Sequence, residues 1–287
     1  MNRTSPSEVK SWCIERGFHP NKTLGQNFLI DRNILAQIVD SAGDIAGKQI
    51  LEVGPGLGVL TEEMLRRGAV VTSVEKDTRL AAELDKELKP VYPSLRLIAG
   101  DMLEQDLDIL LADDYSAFVS NLPYSVGTRI LLEVVLHPRA PHKLVVLVQT
   151  EVAERFAAKE NEDPRGQAGV WLQLFHDVKI VRKVKPSCFW PRPEVDSSIV
   201  VLTRHDRCTL SPAEQAFFFD LTKYVFMYRR KQLGAILRKA GQFVPDPDKL
   251  PGVFAAAELP PEIRPEAVSI EKWERLVHAL SGLSAAR

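Results

Sequence analysis

From about residue 48 the chain alternates short apolar runs with longer amphipathic ones. Gln49–Val53 (QILEV) is strand-like and ends in a glycine cluster, while residues 59–67 place Leu60, Met64 and Leu65 on one side at helical spacing. The series continues with a strand at 69–74 (AVVTSV), a helix over Thr78–Leu88, and strands at Leu95–Ala99 (LRLIA), 117–120 and 144–149 (LVVLVQ). Helical stretches fall near 102–111, 129–136 and 149–158. Strands that are apolar on both faces and alternate with helices predict an α/β fold built on a doubly wound, mostly parallel sheet.

Near Cys188 the pattern changes, and FWPRPEVDSSIVVLTR reads as a proline-stiffened loop followed by a final strand. Beyond Ser211 and Pro212 only helical spacing remains, at 213–230, 231–240 and 270–280. Ser211 with Glu214 begins like a capping box, whereas Ser269 has Lys272 in the acidic position and is a partial cap. The boundary falls near 203–211. Residues 1–207, with 1–47 as an N-terminal lid and helices, are expected to form one domain and 208–287 a small all-helical one. The final GLSAAR is expected to fray.

Composition changes this picture little. A chain of 287 residues with 45% hydrophobic and 26% charged residues suits one large globular domain and a small one. The net charge of -1 means that any nucleic-acid surface must be local. Cys13, Cys188 and Cys208 are far apart with no Cys-x-x-Cys, which argues for reduced thiols and against a disulfide framework or zinc site. The histidines lack ligand spacing, so no metal is expected. The N-terminal MNRTSPSEVKSW has no apolar signal core, and no run approaches the ~18 apolar residues of a membrane span. A cytoplasmic protein with no membrane association is the expectation.

Candidate chemistry sits at the strand ends. EVGPGLGVLT places Gly54, Gly56 and Gly58 between a strand and a helix, where glycine allows a tight turn and close ligand approach. Nicotinamide and S-adenosylmethionine enzymes both use such a loop. Glu75 closes the next strand, where a carboxylate can accept from both ribose hydroxyls. Asp101 closes the third and can accept from an adenine amino group. All three lie at the carboxyl edge of one sheet, where ligands bind in open α/β folds.

The fourth strand exits through SNLPYS on that same edge. As a local shape this is a turn. Beside a cofactor its residues acquire a purpose, because the exocyclic amine of a base is a poor nucleophile. Its methylation needs acceptors that favour a nitrogen becoming tetrahedral and positive. The Asn121 side-chain oxygen and the Leu122 carbonyl can supply them. Pro123 restricts Leu122 to extended conformations and so aims its carbonyl. Tyr124 can stack on a flipped-out ring.

With these motifs in view, the chain resembles the KsgA/RsmA family of bacterial small-subunit rRNA adenine N6-dimethyltransferases over nearly its whole length. The similarity runs from TLGQNFLID (23–31) through EVGPGLG, VEKD, GDM and NLPY to QTEVAERFAA (149–158), FWPRPEVDSSIV (189–200), FMYRRKQL (226–233) and RPEAVSIEKW (264–273). The resemblance implies a Rossmann-like class I methyltransferase sheet with a C-terminal helical rRNA-binding domain. The implied cofactor is S-adenosyl-L-methionine. The implied reaction is dimethylation of two adjacent adenines in the 3′-terminal hairpin loop of small-subunit rRNA, linked to small-subunit biogenesis. The implied partner is that rRNA or an immature small subunit, with the enzyme a monomer.

Carried over by position, Asn27 and Leu29 contact the cofactor from the lid, and Gly54, with Gly56, lies under its methionine part. Glu75, with Lys76 beside it, takes the ribose, and Asp101 and Met102 address the cofactor's adenine. Asn121 bridges cofactor and target amine, and Tyr124 and Phe189 sandwich the target adenine. One departure is visible: 165–170 reads RGQAGV where the family carries a Tyr-Gly-Arg-Leu-Ser-like stretch.

Two basic runs without acids stand out against the neutral total. Residues 178–192 include Lys183 and Lys185, interleaved with Phe189 and Trp190, and residues 223–239 include Arg229, Arg230 and Lys231. Cations beside an aromatic clamp suit a structured RNA. Other readings are an assembly or RNA-binding factor in which methylation is secondary, or a DNA-adenine or protein-glutamine methyltransferase with a related Asn-Pro-Pro-Tyr loop. Leu122 and the lid weigh against the last. A dehydrogenase accounts for the glycine loop alone.

Overall fold

The computed structural model describes residues 1–20 and 25–285, the last three of these in backbone only. Thr23 and Leu24 of the TLGQNFLID stretch, and the last two residues of GLSAAR, lie outside the described residues. The strands are β1 (Phe28–Leu29), β2 (Gln49–Val53), β3 (Val70–Glu75), β4 (Leu95–Ala99), β5 (Ala117–Asn121), β6 (Lys143–Gln149), β7 (His176–Val184), β8 (Phe189–Trp190) and β9 (Ser197–Arg204). Seven of them form one sheet in the order β4-β3-β2-β5-β6-β9-β7, and β1 pairs with β8. Strands β4, β3, β2, β5 and β6 are mutually parallel, and β9 runs antiparallel to β6. This is the expected doubly wound sheet, with its order reversing between β2 and β5. In such folds the crevice at that reversal is the ligand site.

Contacts group the chain into two units, 1–153 with 177–204 and 154–176 with 205–287. In the first, helices α1 (Pro6–Glu15), α2 (Arg32–Ala42), α3 (Val59–Arg66), α4 (Thr78–Leu88), α5 (Leu107–Leu110) and α6 (Gly127–Val135) join the strands. Asp31 and Asp77 cap α2 and α4 by accepting from the amides of the first turn. α2 then buries Ile34, Leu35, Ile38 and Val39, and α4 buries Leu80, Ala81, Leu84 and Leu88. The α2 residues, with Leu84 and Leu88 of α4, join Ile50, Val71, Val119 and Val145 of the strands in one core. Burial of each such aliphatic side chain is worth roughly 1.5–3 kcal/mol.

The helix expected over 102–111 is instead a short 3₁₀ turn, Met102–Glu104, followed by α5. Asp106 caps the second piece afresh, accepting from the Asp108 and Ile109 amides.

In the second unit, α8 (Gln167–Phe175), α9 (Pro212–Phe226), α10 (Leu233–Leu237), α11 (Leu250–Ala256) and α12 (Ile270–Ala285) follow α7 (Thr150–Ala157), whose last residues belong here. Ser211 and Glu214 form the full capping box of α9. Val170 and Leu174 of α8 share a core with Phe218, Leu221, Trp273 and Leu276. That packing puts 154–176 with the helices, whereas the sequence pattern assigned those residues to the first domain. The departure at 165–170 has a structural use here. Arg165 is 1% exposed and donates to the Val268 carbonyl at 2.6 Å, tying that stretch to the segment before α12. Helix α12 extends to Ala285, beyond the 280 given by its spacing.

Candidate active site

The carboxyl ends of β2, β3, β4 and β5 and the segment 25–29 line one cavity of about 260 Å³. Its floor is the glycine loop after β2. Gly54, Gly56 and Gly58 have φ of +70°, +58° and +76°, a region that costs a residue with a Cβ. A Cβ at Gly56 would also come within 3.0 Å of the Phe28 ring. Glycines thus stand where the chain must turn and where the Phe28 ring packs against the loop.

Glu75, at the end of β3, is 6% exposed. Its Oε2 accepts from the Gly56 amide at 2.9 Å and its Oε1 from the Asp77 amide at 2.8 Å. Burial pushes its carboxyl upward and these amides oppose the shift. Each oxygen retains an acceptor position for a hydroxyl. Asp101 accepts from the Leu103 amide at 3.0 Å and pairs with the Lys76 ammonium at 2.6 Å, a hydrogen bond that holds its carboxyl below the ordinary value. Lys76 thus reaches the site through Asp101. Met102 is buried and lines the cavity next to it.

Glu52 is a cavity-lining acid outside the set of expected site residues. It is 1% exposed and accepts from the Thr61 hydroxyl at 2.7 Å and the Ser73 hydroxyl at 2.6 Å. Desolvation outweighs both bonds and pushes its carboxyl up to about 7.

The opposite wall is Asn121–Tyr124. The Asn121 side-chain nitrogen donates to the Asn27 carbonyl at 3.3 Å, which holds the amide by its donor end and leaves Oδ1 as an acceptor. The Pro123 carbonyl accepts from the Gly127 amide at 2.7 Å, closing the tetrad onto the start of α6. Gly127 is obligatory there, since a Cβ would lie 2.9 Å from that of Leu122. Tyr124 shares a 2.6 Å hydroxyl–hydroxyl hydrogen bond with Ser197 at the start of β9, and burial pushes its phenol upward. The Ser120 hydroxyl donates to the Val53 carbonyl, bracing the end of β5 against β2.

Among the residues expected at the site, Asn27, Leu29, Gly54, Gly56, Glu75 and Lys76 line this cavity. So do Asp101, Met102, Asn121, Leu122, Pro123 and Tyr124. Phe189 does not. It is 3% exposed in the main core, paired with Leu29 across β1–β8. Lys183 and Lys185 are exposed at and just beyond the end of β7, and Arg229, Arg230 and Lys231 are exposed in the turn after α9. The Lys231 ammonium lies 5.2 Å from the centroid of the Tyr228 ring.

Ser197, Ser120 and Gly127 were not visible as site residues. Their partners lie far along the chain or depend on a close approach that no spacing shows. Among the described residues no group of three or more His, Cys, Asp and Glu side chains is placed to hold a metal, and no helix is long and apolar enough to cross a membrane.

A loop of glycines at positive φ, with no room for a Cβ at Gly56, and two carboxylates at successive strand ends fit a nucleoside cofactor with vicinal hydroxyls. The sequence profile described as ribosomal RNA adenine dimethylase matches residues 17–245. Proteins named ribosomal RNA small subunit methyltransferase A from Opitutus terrae and Bacillus mycoides are 36% and 33% identical to the chain. They align over 95% and 96% of it and over 97% and 96% of their own lengths. Among solved structures, the chain is similar to a dimethyladenosine transferase from Plasmodium falciparum (TM-score 0.71, 23% identity, 86% of this chain and 95% of that one). It is also similar to the 23S rRNA methyltransferase ErmE (TM-score 0.65, 25% identity, 89% and 100%).

Proposed function

The chain belongs to the ribosomal RNA adenine dimethylase family and is an S-adenosylmethionine-dependent rRNA adenine dimethyltransferase, and from that premise we propose its target and its division of labour. The targets are the N6 amines of two adjacent adenines in the 3′-terminal hairpin loop of small-subunit rRNA, modified during small-subunit biogenesis. The observation that carries this reading is the placement of Asn121, tied by its amide nitrogen to the Asn27 carbonyl, in the same cavity as Glu75 and Asp101.

Bound S-adenosylmethionine supplies an electrophilic methyl group. Glu75 accepts from its ribose hydroxyls, while Asp101, held by Lys76, addresses its adenine beside Met102. Gly54 and Gly56 let its methionine part approach the backbone, and Asn27 and Leu29 cover it. Asn121 Oδ1 and the Leu122 carbonyl accept from the target amine and favour its positive, tetrahedral form. Tyr124 stacks on the flipped adenine, its ring fixed through Ser197. Phe189 serves as the second aromatic of that sandwich if β8 turns it out of the core on binding RNA. No side chain must act as a charged base, because the proton can leave after the methyl has moved.

The helical unit binds rRNA through Arg229, Arg230 and Lys231, with Lys183 and Lys185 of the first unit adding phosphate contacts. The enzyme works as a cytoplasmic monomer without a metal.

The test is transfer of labelled methyl groups to undermethylated small subunits, with nucleoside analysis of the product. N6,N6-dimethyladenosine at two neighbouring positions is expected, and its absence refutes the target. Neutralising Arg229, Arg230 and Lys231 is expected to weaken rRNA binding and flatten its dependence on salt by about one unit of slope or more. An unchanged slope removes these residues from the RNA contact.

A further inference from the structure

Arg3 lies far from the cavity in sequence, yet its side chain reaches the loop that floors it. It is 6% exposed, and each of its three guanidinium nitrogens donates a hydrogen bond. Nε donates to the carbonyl of Leu57 at 2.6 Å, Nη1 to Glu62 of α3 at 2.7 Å and Nη2 to Glu87 of α4 at 2.8 Å. Leu57 stands between Gly56 and Gly58 and lines the cavity. α3 begins where the glycine loop ends, and α4 follows the strand that delivers Glu75. One planar cation therefore ties together the elements on which the cofactor side is built.

The segment that carries Arg3 is itself anchored. The Trp12 indole donates to Glu87 at 2.8 Å, and Arg16 pairs with Glu87 at 3.0 Å and Glu83 at 2.8 Å. Val9, Trp12, Cys13 and Phe18 pack with Leu57, Leu80 and Phe28, the lid residue that faces Gly56. A loop of three glycines is the part of the cradle with the most backbone freedom to lose when a ligand arrives. Fixing it beforehand raises affinity without a new contact to the ligand.

We propose that Arg3 is a positioning residue for the cofactor. It holds the glycine loop in its receiving shape, so docking of the N-terminal segment and cofactor binding are thermodynamically coupled. This rests on the S-adenosylmethionine assignment. Coupling is reciprocal, so the cofactor must tighten the N-terminal segment by the factor that the segment tightens the cofactor.

The experiment measures S-adenosylhomocysteine affinity by calorimetry in wild type, Arg3→Gln and Arg3→Lys, and amide exchange of residues 6–15 in wild type with and without that ligand. The expected loss of affinity in Arg3→Gln is about tenfold, with kcat at saturating cofactor within about twofold and Arg3→Lys in between. The exchange of residues 6–15 should slow by a similar factor when the ligand is added. Affinity within twofold of wild type, with only a lowered melting temperature, makes Arg3 a structural residue and overturns the proposal. Unchanged exchange in the wild-type protein overturns it equally, and decides alone if Arg3→Gln does not fold. If wild type fails to bind the ligand, the cofactor assignment falls and the proposal with it.

Discussion

The two walls of the cavity are built on different principles. On the cofactor wall each acid is already held: Glu75 by two amides, Glu52 by two hydroxyls, Asp101 by an amide and an ammonium. On the acceptor wall the working groups are held by single bonds, Asn121 at 3.3 Å from the Asn27 carbonyl and Tyr124 at 2.6 Å from Ser197. In the proposed assignment the first wall binds a molecule with fixed hydroxyls and gains from rigidity before binding. The second would stabilise charge that exists only as the amine reacts, and so needs acceptor atoms rather than net charge. The difference teaches that removing a group from one wall should change binding, and from the other should change rate.

The largest expected effect is on the acceptor wall. Asn121→Ala removes one of two acceptors and should lower the single-turnover methylation rate by roughly 10²–10³-fold. An effect below tenfold would move the chemistry elsewhere. It also separates catalysis from assembly, since a role in subunit maturation that does not need methylation would survive this substitution.

Next is the buried acid behind the glycine loop. Glu52 has its carboxyl raised to about 7 by burial, against an ordinary value near 4.5. A raised carboxyl contributes stability that is fully present below about pH 4.5 and is lost as pH rises to about 7. Glu52→Gln stays neutral, and the Thr61 and Ser73 hydroxyls can rotate to serve it. The variant should therefore be more stable than wild type above pH 7, by up to roughly 3 kcal/mol, with the difference vanishing below pH 4.5. Urea melts across that pH range check it, and equal slopes for both proteins would show that Glu52 does not titrate there.

The smallest effect is at the stacking ring. Tyr124→Phe keeps the ring but loses the bond to Ser197, a change of about 1 kcal/mol in stability and only a few-fold in rate. A loss as large as that of Asn121→Ala would mean that the hydroxyl, and not the face of the ring, does the work.

How far these walls were legible beforehand differs between them. Gln49–Val53, Thr78–Leu88 and Leu95–Ala99 end where the spacing put them, because caps and glycines punctuate the chain there. Glu75 and Asp101 were readable for the same reason: a strand end is a local signal. β7 was missed because, at the sheet edge, it buries few residues and carries Lys179, Arg182 and Lys183 among its apolar ones. α11 begins Leu-Pro-Gly, which reads as a turn.

On the acceptor wall SNLPYS reads locally as a turn; its place on the ligand edge pointed to amine acceptors, and resemblance supplied most of the weight for that chemistry. Ser197 lies 73 residues from Tyr124, and Asn27 lies 94 from Asn121, separations over which no periodicity speaks. Resemblance also set Phe189 beside the target adenine, where it would have to leave the core it occupies.

The central claim, one wall for holding and one for reacting, is tested most directly by calorimetric titration of S-adenosylhomocysteine into Asn121→Ala alongside Glu75→Gln. The expected result is that Asn121→Ala binds within about fivefold of wild type despite its lost rate, while Glu75→Gln binds about 10–100-fold more weakly. Equal weakening in both variants, or tight binding in Glu75→Gln, would contradict it.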